Sequence, residues 1–184
     1  MENNINKERI SFVKIFLYTV IATSASVVLP MLVHAVGVLT GTDAALGQIL
    51  LPMHIPVFVL GFCIGPWAGL VAGTLSPIIS YMITGMPSLA LLPCMIAEIA
   101  AYGILAGFFR DMRLNSVCKI LSVQILGRLA RVLTAEVIMF ITKKETVFLL
   151  TNLKSMVWGI PGIILQLVIV SFIIRKTGQG KEHE

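Results

Sequence analysis

From Gln48 to Pro87 the chain has no Lys, Arg, Asp or Glu, a gap of forty residues in a sequence of 184. Charge is scarce elsewhere too: charged residues make up 12% of the whole and apolar ones 57%, where a soluble domain carries about 25% charged. No stretch is polar enough for a sizeable soluble domain, which leaves no room for a nucleotide-binding one, and no Gly-rich phosphate loop is present. Catalytic patterns are missing as well: there is no HExxH, no supported Ser/His/Asp spacing and no paired Asp motif, so an enzyme is not expected. The three cysteines, Cys63, Cys94 and Cys118, are scattered in or beside apolar segments. That number and spacing suit core-like thiols better than a metal site, and neither metal nor cofactor is expected. The net charge of +5 fits basic cytoplasmic loops of a membrane protein better than a nucleic-acid partner.

What is present is a series of apolar segments. The Gln48–Pro87 run is much longer than one bilayer crossing of ~20 residues, and Gly65-Pro66 breaks it, since Pro lacks a backbone N–H. A helical hairpin in lipid follows, one half carrying Pro52, His54 and Pro56 and the other Gly69, Gly73, Ser76, Pro77 and Ser80. The fold class is all-α, with one domain of six transmembrane helices over about Ile10–Leu29, Leu46–Ile64, Trp67–Ile83, Leu89–Phe109, Val117–Ile141 and Phe148–Ile174. Lys7 and Arg9 precede the first helix, but Ile10–Leu29 is too long for the apolar core of a signal peptide. Pro30–Leu46 is read as a long connection able to act as a lid, and residues 176–184 as a disordered tail.

Nine basic residues (Lys7, Arg9, Lys14, Arg110, Arg113, Lys119, Arg175, Lys176 and Lys181) fall on the side of the termini, against Lys143, Lys144 and Lys154 on the other. The positive-inside bias then puts both termini in the cytoplasm.

Four ionisable groups sit inside apolar runs: Glu98, Arg128, Arg131 and Glu136. Each costs at least ~2.5 kcal/mol in the bilayer unless it finds a partner or a cavity. With a rise of ~1.5 Å per residue, Glu98 lies ~14 Å, Arg128 ~13 Å and His54 ~12 Å below the outer face. Arg131 stands one turn above Arg128, Gln124 one turn below, and Tyr102 shares a face with Glu98. A Glu98–Arg128 ion pair is the structural reading. Two arginines facing one glutamate leave a positive charge over, since Glu136 is rotated away, and a bound anion would balance it. His54 is either a hydrogen-bonded core residue or a ligand contact; its flanking prolines free carbonyls that must find partners or line a cavity. Trp158 and Tyr81 are either interfacial anchors or ligand contacts. On the first helix, Thr19/Thr23 and Ala22/Ser26 are small residues four apart, which let another helix approach closely, in the same subunit or in a partner.

The residues Leu51-Pro-Met-His-Ile-Pro-Val57, Gly61-Phe-Cys-Ile-Gly-Pro-Trp-Ala-Gly69, Leu75-Ser-Pro77 and Thr84-Gly-Met-Pro87 resemble the substrate-binding S components of energy-coupling factor (ECF) vitamin transporters. The resemblance extends over the chain in length, helix number and cytoplasmic termini. It implies a plasma-membrane subunit that captures a vitamin from outside and docks on a transmembrane coupling protein with two ATPase subunits. The family docks through AxxxA on helix 1, where this chain has Thr19, Ala22, Thr23 and Ser26. The implied ligand site draws on His54, Glu98, Arg128, Arg131, Trp158 and Tyr81. The arginines favour a carboxylate or phosphate, as in pantothenate-like molecules rather than thiamin. An assembly subunit without a ligand and an autonomous carrier are the competing readings.

Overall fold

A computed structural model describes residues 2–42, 45–143 and 159–176. Among them every regular element is a helix: α1 (Glu2–Thr40), α2 (Ala45–Leu50), α3 (His54–Cys63), α4 (Pro66–Thr84), α5 (Leu92–Phe109), α6 (Ser116–Thr142) and α7 (Ile160–Lys176). The expected start of the sixth helix near Phe148, the residues Lys144, Lys154 and Trp158, and tail residues 177–184 lie outside the described residues. Three helical stretches, Phe12–Thr40, Pro66–Thr84 and Leu92–Phe109, are long and apolar enough to cross a membrane. Their large apolar side chains point outward on a scale no water-facing surface tolerates: Phe16, Leu39, Trp67, Met82 and Phe108 are all exposed. Apolar patches of this kind mark a lipid-facing surface.

α5 packs against α3, α4 and α6 and forms the centre of the bundle. Glycine makes this possible. Gly69 and Gly73 of α4 lie against the backbone of α5 at Gly103 and at Ile99–Ala100, and Gly107 of α5 lies against Gly65–Pro66. A side chain at any of these positions would strike backbone, so two small-xxx-small pairs face one another and the helices touch directly. Lipid tails are as apolar as leucine, so close van der Waals packing of this sort drives helix association in a membrane. One apolar cluster joins Phe58, Phe62, Tyr102, Ala106, Ile120, Val123, Val170 and Ile174 from α3, α5, α6 and α7. A second joins Ala22, Val57, Leu60, Ala68, Ala72 and Ile99 from α1, α3, α4 and α5, with Met53 from the turn before α3.

Two expectations change. Pro30 does not end the first helix: α1 runs on to Thr40. Residues 31–39 are nearly all apolar, and a membrane helix tolerates a proline when its surroundings satisfy the freed carbonyl. The expected lid from Pro30 to Leu46 is therefore largely helix. The second helix is broken instead of continuous, with α2 and α3 separated at Leu51–Met53, where Pro52 removes a donor. Ala22, Thr23 and Ser26 are buried and Thr19 half-buried, while α1 packs on α3 and α4. Ala22 belongs to the second cluster.

The ends of the bundle are closed by specific turns. Gly65, at φ 137°, precedes Pro66 at the start of α4, and Gly85, at φ 71°, caps its other end. Asn115 caps α6, its Oδ1 accepting from the Cys118 amide at 2.8 Å. At that end Lys119 Nζ donates to the Arg110 carbonyl at 2.7 Å and Arg110 Nη1 to the Cys63 carbonyl at 3.3 Å. These bonds tie α3, α5 and α6 together below the cavity described next.

Candidate functional site

The break between α2 and α3 organises the site. Leu51 has φ 47°, a conformation that costs a non-Gly residue of order 1–3 kcal/mol, and its carbonyl leaves the helical pattern. Three donors converge on it: the His54 amide at 3.2 Å, His54 Nδ1 at 3.1 Å and, more distantly, Gln166 Nε2 of α7 at 3.5 Å. Gln166 in turn accepts through Oε1 from Gln124 Nε2 of α6 at 2.9 Å. An amide pair buried between two apolar helices thus holds the broken segment in place. The lone Gln166 in an apolar run, facing another lone amide at Gln124, is the sequence signal that could have found it.

On the other side of His54 stands Tyr102. Its ring lies 5.3 Å from the imidazole and 4.9 Å from Phe58, centre to centre. Gly127 of α6 leaves the space the ring occupies, since a Cβ there would run into Tyr102 Cδ1 and Cε1. One helical turn below in sequence is Glu98, and the i, i+4 spacing brings Tyr102 Oη to Glu98 Oε1 at 2.8 Å. The other carboxylate oxygen, Oε2, accepts from Arg131 Nη1 at 2.6 Å. Both oxygens of a 1%-exposed carboxylate are therefore engaged.

The expected ion pair between Glu98 and Arg128 is replaced by one between Glu98 and Arg131. The two arginines differ by three residues, less than one turn, so a small rotation or shift of α6 against α5 decides which reaches the acid. Arg128 forms no ion pair with any described residue, and its Nε is buried without a hydrogen-bond partner. His54 is in the same position: the ring is 2% exposed and Nε2 has no partner. Orphaned polar atoms of this kind are costly and rare in folded proteins.

Leu51, His54, Glu98, Arg128 and Arg131 border one cavity of about 340 Å³, within the range of small-molecule sites. Its walls are Pro30 and His34 of α1, Leu51–His54 at the break, Ser80 of α4, Met86–Ser88 and Leu91 before α5, Met95 and Glu98 of α5, and Arg128 and Arg131 of α6. The site thus brings together His54, Glu98, Arg128 and Arg131. Tyr81 is half-buried on α4 and does not line the cavity, and Trp158 is outside the described residues. Sequence reasoning missed the apolar contribution of Pro30, Leu91, Met53 and Met95, because methionine and leucine in a membrane helix are indistinguishable from lipid-facing residues until the helix is oriented.

Chemically, the cavity offers apolar walls, the free faces of a guanidinium and an imidazole, and a fully engaged carboxylate. It contains no nucleophile–base pair in hydrogen-bond contact among the described residues.

Comparison with curated proteins finds no match, and comparison with solved structures finds none. The family model for the ECF transporter, substrate-specific component, matches residues 24–174, a span that includes every residue lining the cavity. With apolar helices, a lipid-facing surface and a match over most of its length, the chain belongs to the substrate-specific components of ECF transporters.

Proposed function

We propose that this subunit captures an anionic, vitamin-sized molecule in the cavity between α1, α3, α5 and α6 and delivers it through an ECF module of a coupling protein and two ATPases. One observation carries the anionic preference: among the described residues Arg128 reaches the cavity without an acid, because Glu98 is already held by Arg131 and Tyr102. With the imidazole neutral, two guanidinium groups face one carboxylate, and a carboxylate or phosphate restores balance in a medium where an unpaired charge is costly. Arginine suits that role, since its planar fork holds a carboxylate through two parallel hydrogen bonds. A molecule such as pantothenate has the required charge; thiamin does not.

The chain crosses the plasma membrane six times with cytoplasmic termini in this reading. The cavity then opens outward, toward the end formed by the last turns of α1 and the Gly85–Leu91 segment, and the Arg110–Lys119 end faces the cytoplasm.

Equilibrium titration of the purified chain with a panel of vitamins, alongside uptake into vesicles with and without the energising subunits, tests this. Tight stoichiometric binding of a carboxylate or phosphate, and uptake only with the module, is expected. Uptake by the chain alone would make it an autonomous carrier, and binding of nothing in the panel would make it an assembly subunit.

A further inference from the structure

We propose that the molecule held here carries, besides the anionic group facing Arg128, an N–H or O–H that donates to Nε2 of His54. This rests on the ligand-binding reading above and extends it from charge to hydrogen-bond pattern.

The direction of that bond follows from the broken helix. His54 Nδ1 lies 3.1 Å from the Leu51 carbonyl oxygen. A carbonyl only accepts, so Nδ1 carries the proton, and in the neutral ring Nε2 is left with a lone pair. Nε2 is buried and has no partner, yet His54 lines the cavity. The bond on Nδ1 sets what the opposite nitrogen can do, and here it makes Nε2 an acceptor.

The neighbouring groups do not serve the same need. Glu98 has one oxygen on Tyr102 and the other on Arg131, so the strongest acceptor in the cavity is already occupied. Arg128 and Arg131 only donate, and Met53, Met95 and Leu91 present apolar surface. His34, Ser80 and Ser88 also line the cavity, but none of their side-chain polar atoms is buried and unpartnered as His54 Nε2 is among the described residues; a ligand's donor is therefore drawn to His54, and its anionic group to Arg128. The two orphaned atoms, His54 Nε2 and Arg128 Nε, select a molecule that is both acid and donor. An anion that also supplies the donor pairs an Nε2 that is buried and unpaired without it, and gains roughly 10- to 100-fold in affinity over an anion that does not.

Two measurements test this. The first is ¹⁵N NMR of the imidazoles in the ligand-free, detergent-solubilised chain, with His54 assigned by its loss in His54→Gln. A proton on Nδ1 and a pyridine-type Nε2 are expected; a proton on Nε2, or on both nitrogens, overturns the proposal. The second is titration with carboxylates that carry N–H or O–H donors, pantothenate and biotin, against carboxylates without them, lipoate and octanoate. A donor-bearing probe should bind at least about 10-fold more tightly than both donor-free ones. His54→Leu should abolish that advantage and His54→Gln, which keeps an acceptor, should retain most of it. Equal binding of lipoate or octanoate, with no response to His54→Leu, overturns the proposal. If none of the four binds, and no phosphate-bearing vitamin in the panel above binds either, the anionic-ligand reading fails and this inference with it, and the NMR result separately reports whether His54 has the tautomer described.

Discussion

Glu98 of α5 and Arg131 of α6 meet through Oε2 and Nη1 at 2.6 Å, with both side chains almost entirely shielded. The pair joins two central helices and also shapes the electrostatics of the cavity, because it takes the one acid lining it among the described residues away from Arg128. The sequence left both arginines facing the same glutamate; the structure gives Glu98 to Arg131 and leaves Arg128 at the cavity wall.

The pair should behave as a buried ion pair. Glu98→Gln removes the carboxylate that faces the Arg131 guanidinium and should destabilise the bundle by up to ~3–5 kcal/mol. Joining it with Arg131→Gln should recover a large part of that loss, seen as a rise in Tm of the detergent-solubilised chain relative to Glu98→Gln. If the double variant is as unstable as the sum of the singles, the two residues do not act as a pair.

Arg128 should behave differently. Arg128→Lys keeps the charge but not the bidentate fork, so Tm should stay close to wild type while carboxylate binding weakens by ~1.5–3 kcal/mol, the scale of a charged hydrogen bond. Calorimetric titration beside a melting curve checks it. Unchanged affinity in the folded variant would remove Arg128 from the site.

Gly127→Ala places a methyl group against the Tyr102 ring. Overpacking of this kind costs typically ~1–3 kcal/mol, and any shift of the ring moves the hydroxyl away from Glu98. Reduced Tm together with weakened ligand binding is the expected pair of effects. Gly103→Val, at the α4–α5 crossing, should lower Tm further, because the obstacle there is backbone and has no rotamer to change.

Ala22→Trp separates a packing face from a docking face. Ala22 is buried against α3, α4 and α5 residues in the second apolar cluster, so ligand binding and uptake should fall together with stability. Normal binding with uptake abolished would return this face to a partner helix.

Cysteine accessibility tests the orientation. In a background lacking Cys63, Cys94 and Cys118, Arg113→Cys should be shielded from impermeant reagents in intact cells and Lys143→Cys should label. Both positions are exposed in the subunit, so shielding reports the membrane rather than burial. The reverse pattern would put the cavity mouth on the cytoplasmic side.

Much of this protein was legible in its residues. The forty charge-free residues from Gln48 to Pro87 are too long and too apolar for anything but lipid-embedded helix. Glu98 and Tyr102, four apart in a regular helix, had to share a face, and they are hydrogen-bonded at 2.8 Å. Prolines on both sides of His54 announced an interrupted helix there, and the chain breaks at Leu51–Met53, where the Leu51 carbonyl gathers three donors. These features depend on local covalent geometry and helix periodicity, which a sequence carries by itself. Which arginine meets Glu98 depended on the rotation and offset of one helix against another. In water, polarity marks the outer face of a helix; in lipid both faces are apolar, so the pattern loses that information. Only packing the glycine faces of α4 and α5 together, and seating Tyr102 over Gly127, set the rotations that engage Arg131 and leave Arg128 open to the cavity.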